Sequence, residues 1–288
     1  EAFFIKLIQT FRRNFNMKTK KFGYLFASAA LALTLAACGS DEESADKLND
    51  GVIKVGVTAG LHEEITEVAA KIAQENGLTV EMEVFSDYVL PNTALVEGDL
   101  DVNNFQHGPF LDNFNEERGE ELVAVADTIL NPMGFYSENY TSIDDVPASS
   151  TVAIPNDPTN GGRSLAVLAE AGYITLADGV GVNGTIYDIV ENPKNFEFIE
   201  LEAAQIPTQL GEVAVAAINT NFAMEAGLSP KTDSILLESA DSPYVNVIVV
   251  RPGDEDSEDL KKFIEAYQSD EVRQYIEDTY EGSVIPGF

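Results

Sequence analysis

The 288-residue chain has one cysteine, no tryptophan and only two histidines. A single cysteine excludes a disulfide framework, and with His62 and His107 alone no Cys/His metal cluster can be assembled. His62-Glu63-Glu64 lacks the second histidine, four residues on, that a zinc-protease helix needs. There is no Walker A loop, no G-x-S-x-G elbow and no strand-borne G-x-G-x-x-G. Phosphate cradling, serine hydrolysis and dinucleotide binding are therefore without a signature. Neither a metal nor an organic cofactor is expected, and no residue is marked as catalytic.

Positive charge is equally scarce. Six of the 17 Lys/Arg and one of the 49 Asp/Glu precede Cys38, which leaves 11 against 48 from there on, a net charge of −37. Such a polyanion repels nucleic acid and anionic headgroups, so neither is expected as a partner. Self-repulsion is tolerable where salt shortens the Debye length to about 3 Å at 1 M. The acidity reads as a solvated surface for a saline or alkaline exterior, and carboxylates are too common for any pair to signal catalysis.

Long apolar runs are missing too. The apolar stretch Phe22 to Ala37 is too short and too rich in small residues for a comfortable membrane span. It follows Met17, Lys18, Lys20 and Lys21 and ends at Cys38-Gly39-Ser40, the layout of an exported precursor's signal peptide. Residues 1–16 read as translated sequence upstream of Met17. Leu35-Ala36-Ala37-Cys38 resembles the lipobox of bacterial lipoproteins. That resemblance implies a lipid on Cys38 and a mature chain held to the cell membrane on its extracytoplasmic face. Ser40 to Asp50 reads as a flexible acidic tether.

What remains is globular. Hydrophobic residues make up 44% and charged residues 23%, and the length suits about two domains of roughly 150 residues. Val52 to Thr58 alternates as a strand; Leu61 to Asn76 places Ile65, Val68, Ala69 and Ile72 at helical spacing, with Gly77 as a stop. Further strands are expected at Thr79–Phe85, Val102–Phe105 and Leu122–Ile129, with helices at Leu90–Glu97 and Pro109–Arg118. Asn131 to Asp145 breaks that rhythm. A second unit follows, with strands at Thr151–Ile154, Phe196–Leu201 and Val213–Ile218 and helices at Gly162–Ala171 and Ile206–Leu210. The chain closes with a strand at Val245–Val250 and helices at Ser257–Gln268 and Glu271–Tyr280. The alternation predicts an α/β protein with largely parallel sheets. The expected divisions are residues 1–37 (signal), 38–51 (tether), 52–130 plus 241–288 (first lobe) and 131–240 (second lobe). Open α/β sheets bind ligands beyond the carboxyl ends of their strands, which places a cleft between the lobes.

Recognition residues cluster at those ends. Ile154 to Arg163 is a strand end, a turn-rich loop and a helix start, where backbone N–H groups favour an anion and the Arg163 fork suits a carboxylate. Arginine at a helix start is equally an ordinary surface feature. Tyr88, Phe105, His107 and Phe110 follow strands, and their rings could clasp a thioether, though Phe105 and Phe110 also suit core packing. Asn219 and Asn221 end a strand with amides that offer both donor and acceptor, and asparagine there is also ordinary turn chemistry.

Together these segments resemble the methionine-binding lipoproteins of the NlpA/MetQ type, the solute-binding components of methionine ABC importers. The likeness runs from about Ile53 to Phe288. It rests on VGVTAG (Val55 to Gly60), DYVLPNTALVEGDLDVNNFQH (Asp87 to His107), NPMGFYS (Asn131 to Ser137), VAIPNDPTNGGR (Val152 to Arg163), AAINTNFA (Ala216 to Ala223), DSPYVNVIVVR (Asp241 to Arg251) and GSVIPGF (Gly282 to Phe288). The resemblance implies a two-lobed periplasmic-binding-protein fold of type II that captures L-methionine and delivers it to a permease and ATPase. It implies Arg163 on the ligand carboxylate, Asn156 and Asn219 on the amino-acid backbone, and Tyr88, Phe105, His107 and Phe110 around the side chain. Phe110 departs from the family, which commonly has tyrosine there. Relatives also bind methionine dipeptides, so D-methionine, a dipeptide or another amino acid stays open as the ligand. An enzyme on the same scaffold, or a surface interaction protein, has no positive signature here.

Overall fold

A computed structural model describes residues 48–288. The signal segment, Cys38 and most of the tether lie outside the described residues. The chain opens with alternating strands and helices: β1 (Val52–Thr58), α1 (Leu61–Glu75), β2 (Thr79–Phe85), α2 (Leu90–Glu97), β3 (Val102–His107), α3 (Gly108–Arg118) and β4 (Val123–Leu130). It then crosses to β5 (Gly134–Tyr136), β6 (Thr151–Pro155), α4 (Pro158–Glu170), the short pair β7 (Thr175–Leu176) and β8 (Ile189–Glu191), and β9 (Glu197–Leu201). A 3-10 stretch at Ala203–Glu212 leads to β10 (Val215–Ile218), α5 (Thr220–Glu225), α6 (Pro230–Asp233) and β11 (Leu236–Leu237). The return brings β12 (Val245–Val250), α7 (Glu258–Tyr267), α8 (Asp270–Tyr280) and β13 (Ile285–Pro286).

Two main sheets result, in the orders β13-β4-β12-β3-β1-β2 and β11-β5-β10-β6-β9. The expectation of largely parallel sheets needs correction, because each is mixed. β1 pairs in parallel with β2 and β3, but β12 runs antiparallel to both β3 and β4. In the second sheet β10-β6-β9 is parallel and β5 is antiparallel to β10 and β11. The cause is the double crossing. A chain that leaves the first sheet at the carboxyl end of β4 enters the second from that same side, as β5. When it returns, β12 again starts at the crossing, opposite Leu130, and must run against its neighbours.

Apolar faces close both sheets. Ile53, Val55 and Val57 of β1 pack with Ile65 and Ala69 of α1, Leu260 and Phe263 of α7 and Ile276 of α8. Val152, Ile154, Leu165, Leu168, Val215 and Ala217 form the second core. Leu48 is 3% exposed within the first core, and its carbonyl accepts a 2.6 Å hydrogen bond from Ser257 Oγ. One apolar side chain is enough to dock that end of an otherwise polar segment.

Three local departures decide the site. β3 runs on to His107 although Val-Asn-Asn-Phe-Gln-His is poor strand sequence, and all six residues are buried. An amide network carries it: Asn92 Nδ2 donates to Gln106 Oε1 at 2.8 Å, and Asn103 Nδ2 and Gln106 Nε2 donate to Asn92 Oδ1 at 2.8 and 2.6 Å. α4 begins at Pro158, a full turn before the expected Gly162. Asp157 caps it by accepting from Asn160 N at 2.9 Å, and proline suits the first helical position because its missing N–H had no partner to lose. The expected helix at Ile206–Leu210 is instead part of the 3-10 stretch, with Pro207 inside it.

The early start of α4 presses its first turn onto β6. A Cβ on Gly161 would lie 2.8 Å from the Pro155 carbonyl oxygen, a backbone atom that cannot rotate away. Gly161→Ala is expected to lower stability by about 1–3 kcal/mol through overpacking. A urea titration showing an unchanged midpoint would contradict the close approach.

Candidate functional site

The carboxyl ends of β3 and β10, the first turn of α4 and the crossing segments converge on one pocket between the two sheets. One wall is aromatic. The rings of Tyr88, Phe105 and Phe110 stand 5.9–6.1 Å apart, with Tyr88–Phe110 and Phe105–Phe110 edge to face. Tyr88 belongs to the first sheet's side, yet it stacks at 4.9 Å on Phe222 of α5 and donates its hydroxyl to Asn221 Oδ1 at 2.5 Å. Burial raises the Tyr88 hydroxyl well above its usual range, so it stays a donor.

The opposite wall is built from amides around one arginine. Arg163, the sixth residue of α4, is buried with Glu238: Nε donates to both carboxylate oxygens at 3.0 and 3.1 Å, and Nη2 donates to Oε2 as well. Nη2 also donates to the Asn131 carbonyl at 2.8 Å, and the guanidinium lies 4.4 Å above the Tyr244 ring. The Met133 N–H and the Ser242 hydroxyl satisfy the rest of Glu238, at 2.9 and 3.0 Å. Nη1 of Arg163 has no hydrogen-bond partner among the described residues and is the edge left for the pocket.

Asn160 organises the next section. Its Nδ2 donates to both oxygens of Asp157 at 3.0 and 3.1 Å, which turns Oδ1 toward Asn219 Nδ2 at 2.8 Å and His107 Nε2 at 3.2 Å. His107 Nδ1 accepts from Phe110 N at 3.1 Å as the cap of α3, so the ring proton sits on Nε2. Desolvation, then the Arg163 charge, pushes the pKa of His107 down to about 3 and keeps the ring neutral. Three buried atoms facing this space have no hydrogen-bond partner among the described residues: Asn131 Oδ1, Asn219 Oδ1 and Asn221 Nδ2. An unmet buried polar atom costs about 1–3 kcal/mol, and such atoms concentrate where a ligand will meet them.

Six of the seven residues singled out from sequence line this pocket: Tyr88, Phe105, His107, Phe110, Arg163 and Asn219. Asn156 does not; it borders an adjoining pocket with Tyr88, Phe110 and Asp157. It is exposed at the exit of β6, with its N–H bound to the Leu201 carbonyl at 2.8 Å, while Asn160 lines the pocket described above. Because the helix starts at Pro158, Asn160 and Arg163 are three residues apart on one helical face. Sequence reasoning missed Asn131, Asn160, Glu238 and Asn246, and it weighed His62 only as a failed zinc pattern. Among the described residues there is no metal-binding group of His, Cys, Asp and Glu side chains, and no helix long and apolar enough to cross a membrane.

Residues 53–288 match the model of the NlpA lipoprotein family. The chain belongs to that family. It is 48% identical to the D-methionine-binding lipoprotein MetQ of Salmonella typhimurium over 273 residues, which covers 93% of this chain and 99% of the relative. The protein described by the same words in Escherichia coli K12 is 46% identical over the same length and coverage. Among solved structures, a crystal structure of the methionine binding protein MetQ superposes with a TM-score of 0.80 at 48% identity, covering 83% of this chain and 98% of that one. A nutrient binding protein from Burkholderia cenocepacia bound to methionine gives 0.80 at 45%, covering 82% and 100%. The two-lobed α/β binding-protein fold is thus shared across the family.

His62, like His107, is buried and held down to about 3, in its case by desolvation. Below pH 6.5 the unfolded chain takes up protons that the folded one refuses, so stability must fall as pH falls toward 3. The slope is about 1.4 kcal/mol per pH unit for each histidine. Urea midpoints measured from pH 7 to pH 4 should show this loss beyond what carboxylates contribute, and His107→Gln should flatten it.

Proposed function

We propose that the protein captures L-methionine between its lobes, residues 52–130 with 241–288 and residues 131–240, and delivers it to the permease and ATPase of an ABC importer. One observation carries this reading: the unmet polar atoms match an amino-acid zwitterion placed beside an aromatic wall. Arg163 Nη1 and Asn221 Nδ2 are donors for a carboxylate, while Asn131 Oδ1 and Asn219 Oδ1 are acceptors for an ammonium group. The Tyr88, Phe105 and Phe110 rings then meet the side chain, where sulfur contacts with aromatic edges contribute roughly 0.3–1.5 kcal/mol. A methionine-bound relative at 45% identity supports the same ligand class.

The same geometry supports binding without chemistry. Both histidines are neutral and committed to hydrogen bonds, and the Glu238 carboxylate is saturated by four donors. The relatives described as D-methionine-binding favour a second reading, the other enantiomer, which carries the same groups with a different order around Cα. A methionine dipeptide or another amino acid would have to satisfy the same four atoms. Membership of a lipoprotein family supports a lipid on Cys38 that holds the protein on the extracytoplasmic face.

Calorimetry with L-methionine, D-methionine and a methionine dipeptide tests the ligand. Tight binding of an amino acid without a thioether, and of no methionine form, would sink the assignment. Arg163→Lys keeps a charge for Glu238 and loses the planar fork, so it is expected to weaken binding by about 1.5–3 kcal/mol while the protein stays folded. For the anchor, detergent-phase partitioning of the protein expressed in a bacterial host should be lost in Cys38→Ser.

A further inference from the structure

His62 touches the pocket, and its contacts select one chemical state. The residue is the second of α1 and is 1% exposed. Its Nδ1 lies 2.7 Å from Thr58 Oγ1 at the end of β1. Its Nε2 lies 2.9 Å from Asn246 Nδ2 on β12 and 3.4 Å from Asn131 Nδ2, just past β4. A side-chain NH2 group only donates, so Nε2 must be the acceptor for both amides. The neutral ring then carries its proton on Nδ1 and donates to Thr58 Oγ1. Asn246 uses its second hydrogen on the Phe105 carbonyl at 3.2 Å.

The consequence falls on Asn131. Were its amide turned over, Oδ1 would face the Nε2 lone pair and NH2 would face the pocket. With Nδ2 held toward His62, Oδ1 points away from the ring and is one of the unpartnered acceptors of the polar wall.

We infer that His62, protonated at Nδ1 alone, is a positioning residue that orients the Asn131 amide so that its oxygen receives the ammonium group of an amino-acid ligand. The inference rests on the function proposed above and deepens it. It separates the ammonium end of the site, set by His62 through Asn131, from the carboxylate end, set by Arg163. A residue with a merely structural role would weaken all ligands alike. A positioning role selects for the charged nitrogen.

Two measurements test this. Calorimetry compares methionine with 4-(methylthio)butanoic acid, which has the same thioether chain and carboxylate but no ammonium. His62→Leu should weaken methionine about tenfold or more, one lost charge-assisted contact, and leave the desamino acid within about threefold. His62→Gln, whose amide oxygen replaces Nε2 as acceptor, should recover most of the methionine affinity. Nitrogen-15 NMR of the wild-type protein needs no variant to fold. With two histidines in the sequence, it should show opposite neutral tautomers, Nδ1–H for His62 and Nε2–H for His107. Equal losses for both ligands, an unchanged methionine affinity, or a His62 proton on Nε2 would overturn the inference alone. A wild-type protein that binds neither enantiomer of methionine overturns the functional reading and this inference together.

Discussion

The buried pair of Arg163 and Glu238 holds the site together. Two charges at 3% and 5% side-chain exposure lose several kcal/mol of hydration each, and mutual attraction offsets that only when every remaining donor and acceptor is met. Here they nearly all are. Glu238 accepts from the Met133 N–H and Ser242, while its own N–H donates to the Met133 carbonyl at 2.9 Å. Arg163 reaches the Asn131 carbonyl and stacks on Tyr244. The pair therefore fastens α4 to both crossing segments, and it leaves one guanidinium edge free for a ligand. Removing the arginine would strand a buried carboxylate, so its truncation tests stability as much as binding.

Neutral groups make up most of the pocket around that pair. Asn160 holds Asn219, Asn131 reaches His62 and Asn221 accepts from Tyr88, and both histidines stay uncharged beside them. A second net charge in this low-dielectric space would need its own counter-ion. Amides supply acceptors for an ammonium and donors for a carboxylate without that cost, which suits a ligand that is itself neutral overall.

Sequence made much of this legible, for identifiable reasons. α2 and β12 fall where they were expected, because Pro91 and Gly98 punctuate one and the other is an unbroken apolar run. The aromatic wall and Arg163 follow from strand ends, where α/β sheets present their ligands. β5 escaped notice because three residues cannot show a period. α4 was placed a turn late because Pro158-Thr159-Asn160-Gly161-Gly162 reads as a loop, although Asp157 before Pro158 is a cap signal. Glu238 could not be picked from 49 acidic residues, since burial alone distinguishes it. The same is true of the amides: Asn156 and Asn160 are equivalent as letters, and only the start of a helix decides which one turns inward.

The two strands that enter from the crossing, β5 and β12, have a mechanical consequence. A single connecting strand would act as a swivel, free to bend and twist in any direction. Two connections side by side, at Asn131–Met133 and Glu238–Tyr244, act as a pair of door hinges: bending about the line through them is soft, and twisting is stiff. With Glu238 bonded to Met133 between them, the hinges are also cross-braced. Any rotation of one sheet against the other would be confined to one path about that line, and would bring the aromatic wall back to the same amides.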